Sequence, residues 1–391
     1  MFEEKKIVSE FEKIEKICEK NSLKILESFR CNKVSESHFS VSTGYGYGNS
    51  GREVLNKTFA KSFGAESALV SSNFVSGTHA ISTAIFGIIK PQQSILFITG
   101  KPYDTLEQII NGNDCCSLND LQVDCSICDH TKEDITIYLE RKPNVVYIQR
   151  SRGYSLRKSL SIQDIEVLIK KIKNISPKSL VLVDNCYGEF VEEQEPTEVG
   201  ADLIVGSLIK NPGAGIAPSG GYIAGKSKLV DLCKQRFLAP GLFDIGASNY
   251  NRELFMGLFY SPMAVRESLK TAVFASALFD DLGFEVSPKY SEKRSDIITS
   301  ISLKTEENLK TFCKSIQSYS PVDSFLTPEP WKMPGYDHDV IMASGGFISG
   351  SSIELSADAP VKEPYTVWFQ GGTNFYLSKI ALLNASLKMS N

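Results

Sequence analysis

No run in the 391-residue sequence approaches the roughly 18 consecutive apolar residues that a membrane-crossing helix needs. Basic surplus is missing too. The formal net charge is −4, and no cluster of Lys and Arg interleaved with aromatics marks a track for a phosphate backbone. These absences argue against a membrane span and against nucleic acid as a partner. The first residues, MFEEKKIVSEFEKIEKICEK, are charged and helical in pattern and hold no apolar segment of a secretion signal, so the expected location is the cytosol. Internal repeats are lacking as well.

Nine cysteines, an odd number at irregular spacing, fit reduced thiols better than a disulfide framework. Only Cys125 and Cys128 form a CxxC, with Cys115, Cys116 and His130 nearby. A zinc site would want a second ligand pair at a repeatable spacing, which this cluster does not supply. Small side chains on a strand and its edges are the better reading, and no metal is expected.

What the sequence does have is 42% hydrophobic and 23% charged residues, enough for a large core divided between lobes. From Ser67 to Gly225, short apolar runs alternate with helix-periodic stretches, the pattern of repeated βα units and a mostly parallel sheet. SALVS (67–71), SILFIT (94–99), NVVYIQ (144–149), SLVLVD (179–184), DLIVGS (202–207) and GYIAG (221–225) read as strands. Helices are predicted over Thr78–Ile89 and Ile162–Ile175, each with one aliphatic stripe. An amphipathic helix over about 7–29 and a glycine-rich segment, GYGYGNSG (44–51), come before, followed by a helix from Arg52 to Phe63. Beyond a loop at Pro240–Ser248, a long helix is expected over Met263–Leu282 and a closing helix over Tyr376–Lys388.

Three segments carry chemistry. Asp184 ends an apolar strand, so its carboxylate emerges at the strand's carboxyl end, where open α/β sheets bind ligands. SLIKNPGAGIAPSGG (207–221) places Lys210 three residues after Ser207, among small residues. SGTHA (76–80) opens a helix and offers a phosphate the Gly77 and Thr78 amides and the Ser76 and Thr78 hydroxyls. Each piece alone has an ordinary structural explanation, such as a surface loop or a helix cap. In this order, each at a predicted strand end, they point to pyridoxal 5′-phosphate (PLP). That cofactor needs a lysine amine to hold it as a Schiff base, here Lys210, and a carboxylate to keep its ring nitrogen protonated, here Asp184.

At these residues the chain resembles the PLP-dependent methionine γ-lyase-like proteins of the aluminium-resistance group, relatives of the cystathionine β- and γ-lyases. The resemblance rests on GYGY…GR (44–52), VSGTHA (75–80), GKPYDT (100–105), YIQRSRGYS (147–155), VDNCYGEFVEEQEPTEVGADL (183–203) and GSLIKNPG (206–213), and it runs from about residue 40 onward. It implies an α/β chain of PLP fold type I: a large domain with a mostly parallel, seven-stranded sheet and a smaller C-terminal α+β domain. We place the N-terminal helix and glycine-rich segment at 1–51, the large domain at 52–246 and the smaller one at 247–391.

The resemblance also implies roles. Lys210 would hold the cofactor and shuttle the α-proton, Asp184 would pair with the ring nitrogen, and Ser76, Gly77, Thr78 and Ser207 would bind the phosphate. Tyr103 would stack on the ring and act as an acid toward the leaving sulfur. Tyr45, Tyr47 and Arg52 sit where related lyases reach into a neighbouring subunit's phosphate site, which implies a homodimer or homotetramer with shared sites. Arg150 and Arg152, at the end of a predicted strand, are candidates to grip the substrate carboxylate or the cofactor's phenolate side, and either could instead be a structural ion pair. Gly48, Asn49 and Ser50 depart from the acidic residues usual in those relatives, Lys362 stands near a position where they carry arginine, and Thr373–Tyr376 differs from theirs. The implied activity is carbon–sulfur elimination on a sulfur-containing amino acid of the cystathionine or methionine type. Another PLP reaction such as transamination, or a PLP-binding resistance protein of low turnover, would use the same scaffold.

Overall fold

The computed structural model describes residues 4–43, 48–112, 116–243, 249–333 and 338–389. The large sheet comprises β1 (Ser67–Ser71), β2 (Ser94–Phe97), β3 (Asp124–Ile127), β4 (Val145–Gln149), β5 (Leu180–Asp184), β6 (Leu203–Ser207) and β7 (Gly221–Gly225). Their order is β1-β7-β6-β5-β4-β2-β3, parallel throughout except for β7, which runs antiparallel to both neighbours. Six of the seven are the strands expected from the sequence, with ends shifted by at most two residues. The seventh, β3, is the CxxC segment. Its cysteines were read from the sequence as small side chains on a strand and its edges, without bounds for that strand, and as an edge strand it is only partly buried. Cys125 lies half-buried on it, Cys128 is buried just beyond, Cys116 is exposed, and Cys115 lies outside the described residues. Among the described residues no three His, Cys, Asp or Glu side chains gather as metal ligands.

Parallel strands with aliphatic residues on both faces must be covered on both. Val145 and Tyr147 of β4 join one apolar cluster while Val146 and Ile148 join another, and Leu182 divides from Val181 and Val183 in the same way. The ten helices described are α1 (Val8–Cys31), α2 (Ser50–Ser62), α3 (Gly77–Ile88), α4 (Glu107–Asn111), α5 (Thr136–Leu139), α6 (Ile162–Ile175), α7 (Ser227–Phe237), α8 (Asn251–Asp281), α9 (Glu306–Ser318) and α10 (Phe375–Met389). Helices α3 and α7 contribute to one cluster, α2, α6 and α8 to the other. On α6 the expected stripe, Ile165, Leu168, Ile169 and Ile172, is buried, and Ser161 with Asp164 closes a capping box at its start. None of the described helices is long and apolar enough to cross a membrane.

Helix α8 corrects an expectation. Its predicted start followed Pro262, yet the helix begins at Asn251 and runs through that proline. Proline has no N–H for the carbonyl four residues back. Ser261 Oγ supplies the donor instead, at 2.7 Å from the Leu258 carbonyl oxygen. Early in α8, Gly257 meets the turn after Lys210: a Cβ there would fall 2.7 Å from the Gly213 carbonyl oxygen, so only glycine permits the approach. The strands β8 (Glu285–Ser287), β9 (Ile298–Ser302), β10 (Trp331–Lys332), β11 (Asp339–Ser344), β12 (Ser356–Pro360) and β13 (Thr366–Gln370) form a second sheet, antiparallel throughout, in the order β10-β11-β12-β13-β9-β8. The division expected between 246 and 247 falls outside the described residues.

After β5 the chain turns its carboxylates inward. Glu189, Glu192 and Glu195 are buried, and Arg150 is the buried cation beside Glu192 and Glu195, with Lys293 also bridging Glu192. Its Nη1 donates to Asn185 Oδ1 and to the Gly188 carbonyl, both at 2.8 Å, and its Nη2 donates to Glu192 Oε1 at 3.1 Å. Glu195 accepts from Asn185 Nδ2 at 2.9 Å and from the Phe190 amide at 2.8 Å. Arg150 was a candidate for the substrate carboxylate. The geometry agrees with the other reading, a structural ion pair: the side chain is fully buried and its fork is spent on the loop that follows β5.

Burial, reinforced by Glu195, pushes the Glu189 carboxyl up to about 8 against the hydrogen bond from Tyr222 and the charge of Lys210. Its Oε1 accepts from Tyr222 at 2.9 Å, and its Oε2 has no partner among the described residues. A carboxyl raised on folding keeps its proton in the native state after the unfolded chain has released it. Stability is therefore lost as pH rises from the unfolded value toward about 8. Glu189→Gln should be more stable than the parent by on the order of a few kcal/mol at pH 8, with the advantage shrinking toward pH 5. Urea denaturation of both proteins at pH 5, 6.5 and 8 checks this, and parallel curves would mean that Glu189 is ionised in the fold.

Candidate functional site

Because β2, β4, β5 and β6 run parallel, Thr99, Gln149, Asp184 and Ser207 leave the sheet on one edge. A cleft of about 1530 Å³ opens there, with the second sheet as its far wall. Parallel α/β sheets bind ligands at this edge.

Asp184 is held from two sides: Tyr147 donates its hydroxyl to Oδ2 and the Cys186 amide donates to Oδ1, both at 3.1 Å. Burial and the adjacent Asp184 push the Tyr147 hydroxyl and the Cys186 thiol well up, so both stay neutral and neither competes for the role of base. Tyr147 was not singled out from the sequence. Its signal was a polar-tipped ring in an otherwise aliphatic strand, since a buried tyrosine hydroxyl needs a partner.

Lys210 follows β6, and its Nζ stands 4.0 Å from the centre of the Tyr187 ring, a cation–π contact. Tyr187 was also unforeseen. It adopts a left-handed backbone (φ 67°), donates to the Ser351 carbonyl at 3.0 Å and accepts from Gln370 Nε2 at 2.8 Å. Burial raises its own hydroxyl to about 12. For the Lys210 amine, burial pulls down, but Cys186, Tyr187 and Asp184 together carry it above the ordinary lysine value.

At the start of α3, Ser76 Oγ accepts from the His79 amide at 3.1 Å and so caps the helix. Gly77 faces Ser207, and a Cβ on it would fall 3.1 Å from Ser207 Cβ. Ser207 Oγ is buried there with no hydrogen-bond partner among the described residues. A buried hydroxyl without a partner, beside a helix N-terminus, fits an anionic group such as phosphate. Thr78 Oγ1 lies 3.2 Å from the Tyr103 hydroxyl and 3.0 Å from Thr105 Oγ1, while the Tyr103 amide donates to Gln149 Oε1 at 3.3 Å. Burial, then Asp184, pushes the Tyr103 hydroxyl far up, so it remains a proton donor. An amine, a carboxylate at the cleft floor, an anion cup and a hydroxyl-bearing ring are what a phosphorylated aldehyde with a basic ring nitrogen requires. The residues present fit PLP.

The other expected residues divide. Arg152 lines the cleft and anchors its Nη1 on the Ser287 carbonyl at 3.0 Å and on Ser300 Oγ at 3.1 Å. Arg52 is buried in the first turn of α2, where its amide donates to the N-cap Asn49 Oδ1 at 2.9 Å, and it does not line this chain's cleft. Tyr45 and Tyr47 lie outside the described residues. Lys362 is exposed on the cleft wall. Unforeseen on that wall are Tyr154, Asp358 and Trp368. Tyr154 lies in the loop after β4, and the strands β12 and β13 that carry Asp358 and Trp368 were not resolvable from the sequence, so nothing placed them opposite Lys210.

Comparison with known proteins agrees with this geometry. The uncharacterised Bacillus subtilis protein YnbB is 46% identical over 383 residues, 95% of this chain and 91% of the relative. A Listeria monocytogenes protein provisionally named a cystathionine β-lyase involved in aluminium resistance superposes with a TM-score of 0.95 at 44% identity, over 99% of this chain and 98% of that one. A Clostridium novyi carbon–sulfur lyase involved in aluminium resistance gives 0.92 at 43%, covering 97% and 92%. The PLP-dependent Escherichia coli protein YhfS, at 14% identity and a TM-score of 0.66 over 96% and 97% of the two chains, shares the fold alone. The α/β architecture is PLP fold type I. The family model described as methionine gamma-lyase matches residues 2–390, and to that family this chain belongs.

Proposed function

We propose that this protein is a PLP-dependent carbon–sulfur lyase that acts by elimination on a sulfur-containing amino acid of the cystathionine or methionine type. The observation that carries the reading is the convergence of Lys210, Asp184 and Tyr103 on one cleft beside the Gly77–Ser207 anion cup. The names of the Listeria and Clostridium relatives support it. Lys210 Nζ would carry the cofactor, Asp184 would pair with its ring nitrogen, and Gly77, Thr78 and Ser207 would hold its phosphate. Bound there, PLP supplies an aldehyde that captures amines and a ring that accepts the electron pair left by the substrate's α-proton.

The chain's own groups do the rest. Tyr147 and the Cys186 amide fix Asp184, and Tyr187 steers Lys210. Lys210 Nζ would be the base that takes the substrate's α-proton. Tyr103, protonated at neutral pH, donates its hydroxyl proton to the departing sulfur. Arg152 lines the cleft where a substrate carboxylate can meet its charge.

The working unit we infer is a homodimer or homotetramer with shared sites. Arg52 does not line its own chain's cleft, and α8 exposes Met256, Phe259, Tyr260 and Met263 in one strip. Such apolar strips mark association surfaces.

Two measurements test these readings. Holoenzyme given L-cystathionine or L-methionine should release a keto acid together with ammonia and a thiol. A keto acid without ammonia would indicate transamination, and no product a binding protein. Tyr103→Phe should slow thioether cleavage by about 10²- to 10⁴-fold. It should slow β-chloroalanine, whose chloride needs no proton, far less; equal losses on both would remove Tyr103 from the acid role. For assembly, Arg52→Ala and Lys210→Ala proteins, each poorly active, should regain activity when mixed and allowed to exchange subunits. No recovery after verified exchange would confine Arg52 to its own subunit.

A further inference from the structure

The far wall of the cleft carries polar atoms of which the mechanism above uses only the charge of Arg152. Asp358 on β12 is directly opposite Trp368 on β13, Trp368 is opposite Ser300 on β9, and Ser300 is opposite Ser287 on β8. Residues opposite one another across a sheet share a face and touch. Onto the Ser287–Ser300 end of this row Arg152 lays its Nη1. The row therefore reads acid, indole, cation. All three side chains line the cleft and are nonetheless buried: Asp358 is 2% exposed, Trp368 5% and Arg152 1%.

Each keeps one polar atom without a partner among the described residues: Asp358 Oδ1, Trp368 Nε1 and Arg152 Nε. Buried polar atoms are normally satisfied, so three such atoms on one wall of one cleft call for a ligand. Asp358 is already oriented for one. Tyr154 and Ser351 both donate to its Oδ2 at 2.9 Å, which leaves Oδ1 as the acceptor without a partner among the described residues. The Tyr154 ring also packs on Trp368, with centroids 5.4 Å apart, and fixes the indole. The wall is tied to the lysine. Lys210 lies on the Tyr187 ring, whose hydroxyl donates to the Ser351 carbonyl, and the Ser351 hydroxyl donates to Asp358.

An acceptor at one end and two donors at the other, one of them cationic, complement a group that carries an ammonium and a carboxylate together. We propose that Asp358, Trp368 and Arg152 form a distal subsite that reads a second α-amino-acid end on the substrate. The ammonium would go to Asp358, and the carboxylate to Trp368 and Arg152. The preferred substrates are then thioethers with an amino acid at both ends, and simple S-alkyl amino acids such as methionine leave the three atoms unsatisfied. Discrimination by a site left with unpaired polar groups exceeds what a missing methylene achieves. This inference rests on the lyase reading above for its choice of sulfur compounds.

Three ligands separate the contributions: L-cystathionine; S-(3-carboxypropyl)-L-cysteine, which lacks only the distal amino group; and S-butyl-L-cysteine, which lacks both distal groups. Binding is measured by calorimetry on Lys210→Ala protein loaded with PLP, and kcat/KM on the wild-type holoenzyme. L-Cystathionine should exceed the carboxypropyl compound by about 10- to 100-fold in both, the range of a charged hydrogen bond, and Asp358→Asn should shrink that ratio to about threefold or less. Trp368→Phe should narrow the gap between the carboxypropyl and butyl compounds, and it also decides the matter should Asp358→Asn fail to fold. Equal binding of cystathionine and the carboxypropyl compound, or an unchanged ratio in Asp358→Asn, overturns the subsite. If the binding order holds but no thioether is cleaved, the lyase reading falls and the subsite stands. Cleavage of all three without preference does the reverse.

Discussion

The guanidinium of Arg150 is shut away from water, and much of the site depends on how that charge is compensated. A buried cation is tolerated only where carboxylates and carbonyl oxygens surround it. The segment after β5 must therefore fold with Glu192, Glu195, Asn185 and the Gly188 carbonyl turned inward. Anchoring Asn185 and Gly188 leaves Tyr187 between them in a left-handed conformation, with its ring against the Lys210 amine. A charge that never enters the cleft thus orients the lysine that stands there.

Close backbone approach does a second part of the positioning. Gly77 brings the start of α3 against Ser207, and Gly257 brings α8 against the Gly213 turn that follows Lys210. Helix α8 also packs on β8, β9 and β13. One rigid rod therefore supports both the lysine turn and the wall that bears Trp368. Small residues at these contacts set the width of the cleft more directly than the polar residues that line it.

The electrostatics of the cleft follow from burial. Tyr103, Tyr147, Tyr187 and Cys186 are all raised by loss of water, so they stay neutral round Asp184 and Lys210. Acidic groups of this kind are useful in proton transfer to a leaving group because they keep their protons at neutral pH.

The sequence by itself determined the parallel sheet, because aliphatic runs separated by helix-periodic stretches admit few other arrangements. It also determined Asp184, Lys210 and the Ser76–Thr78 helix start, because each sits where a strand or helix ends and local pattern marks such ends. Ser207 was legible as part of the same serine–lysine spacing. Tertiary structure alone decided the rest. Arg150 and Arg152 are two residues apart and equally polar, yet one is sealed behind the post-β5 loop and the other lines the cleft. The run of α8 through Pro262 depends on one serine hydroxyl. Tyr187, Asp358 and Trp368 carried no local signal, and Tyr147 only that of a polar-tipped ring in an aliphatic strand, because what makes them matter is a partner far away in the chain: a carboxylate for Tyr147, an amine for Tyr187, a facing strand for Asp358 and Trp368. Pattern along a chain reports which face of an element is buried, but only the folded arrangement decides which buried polar atom meets which partner.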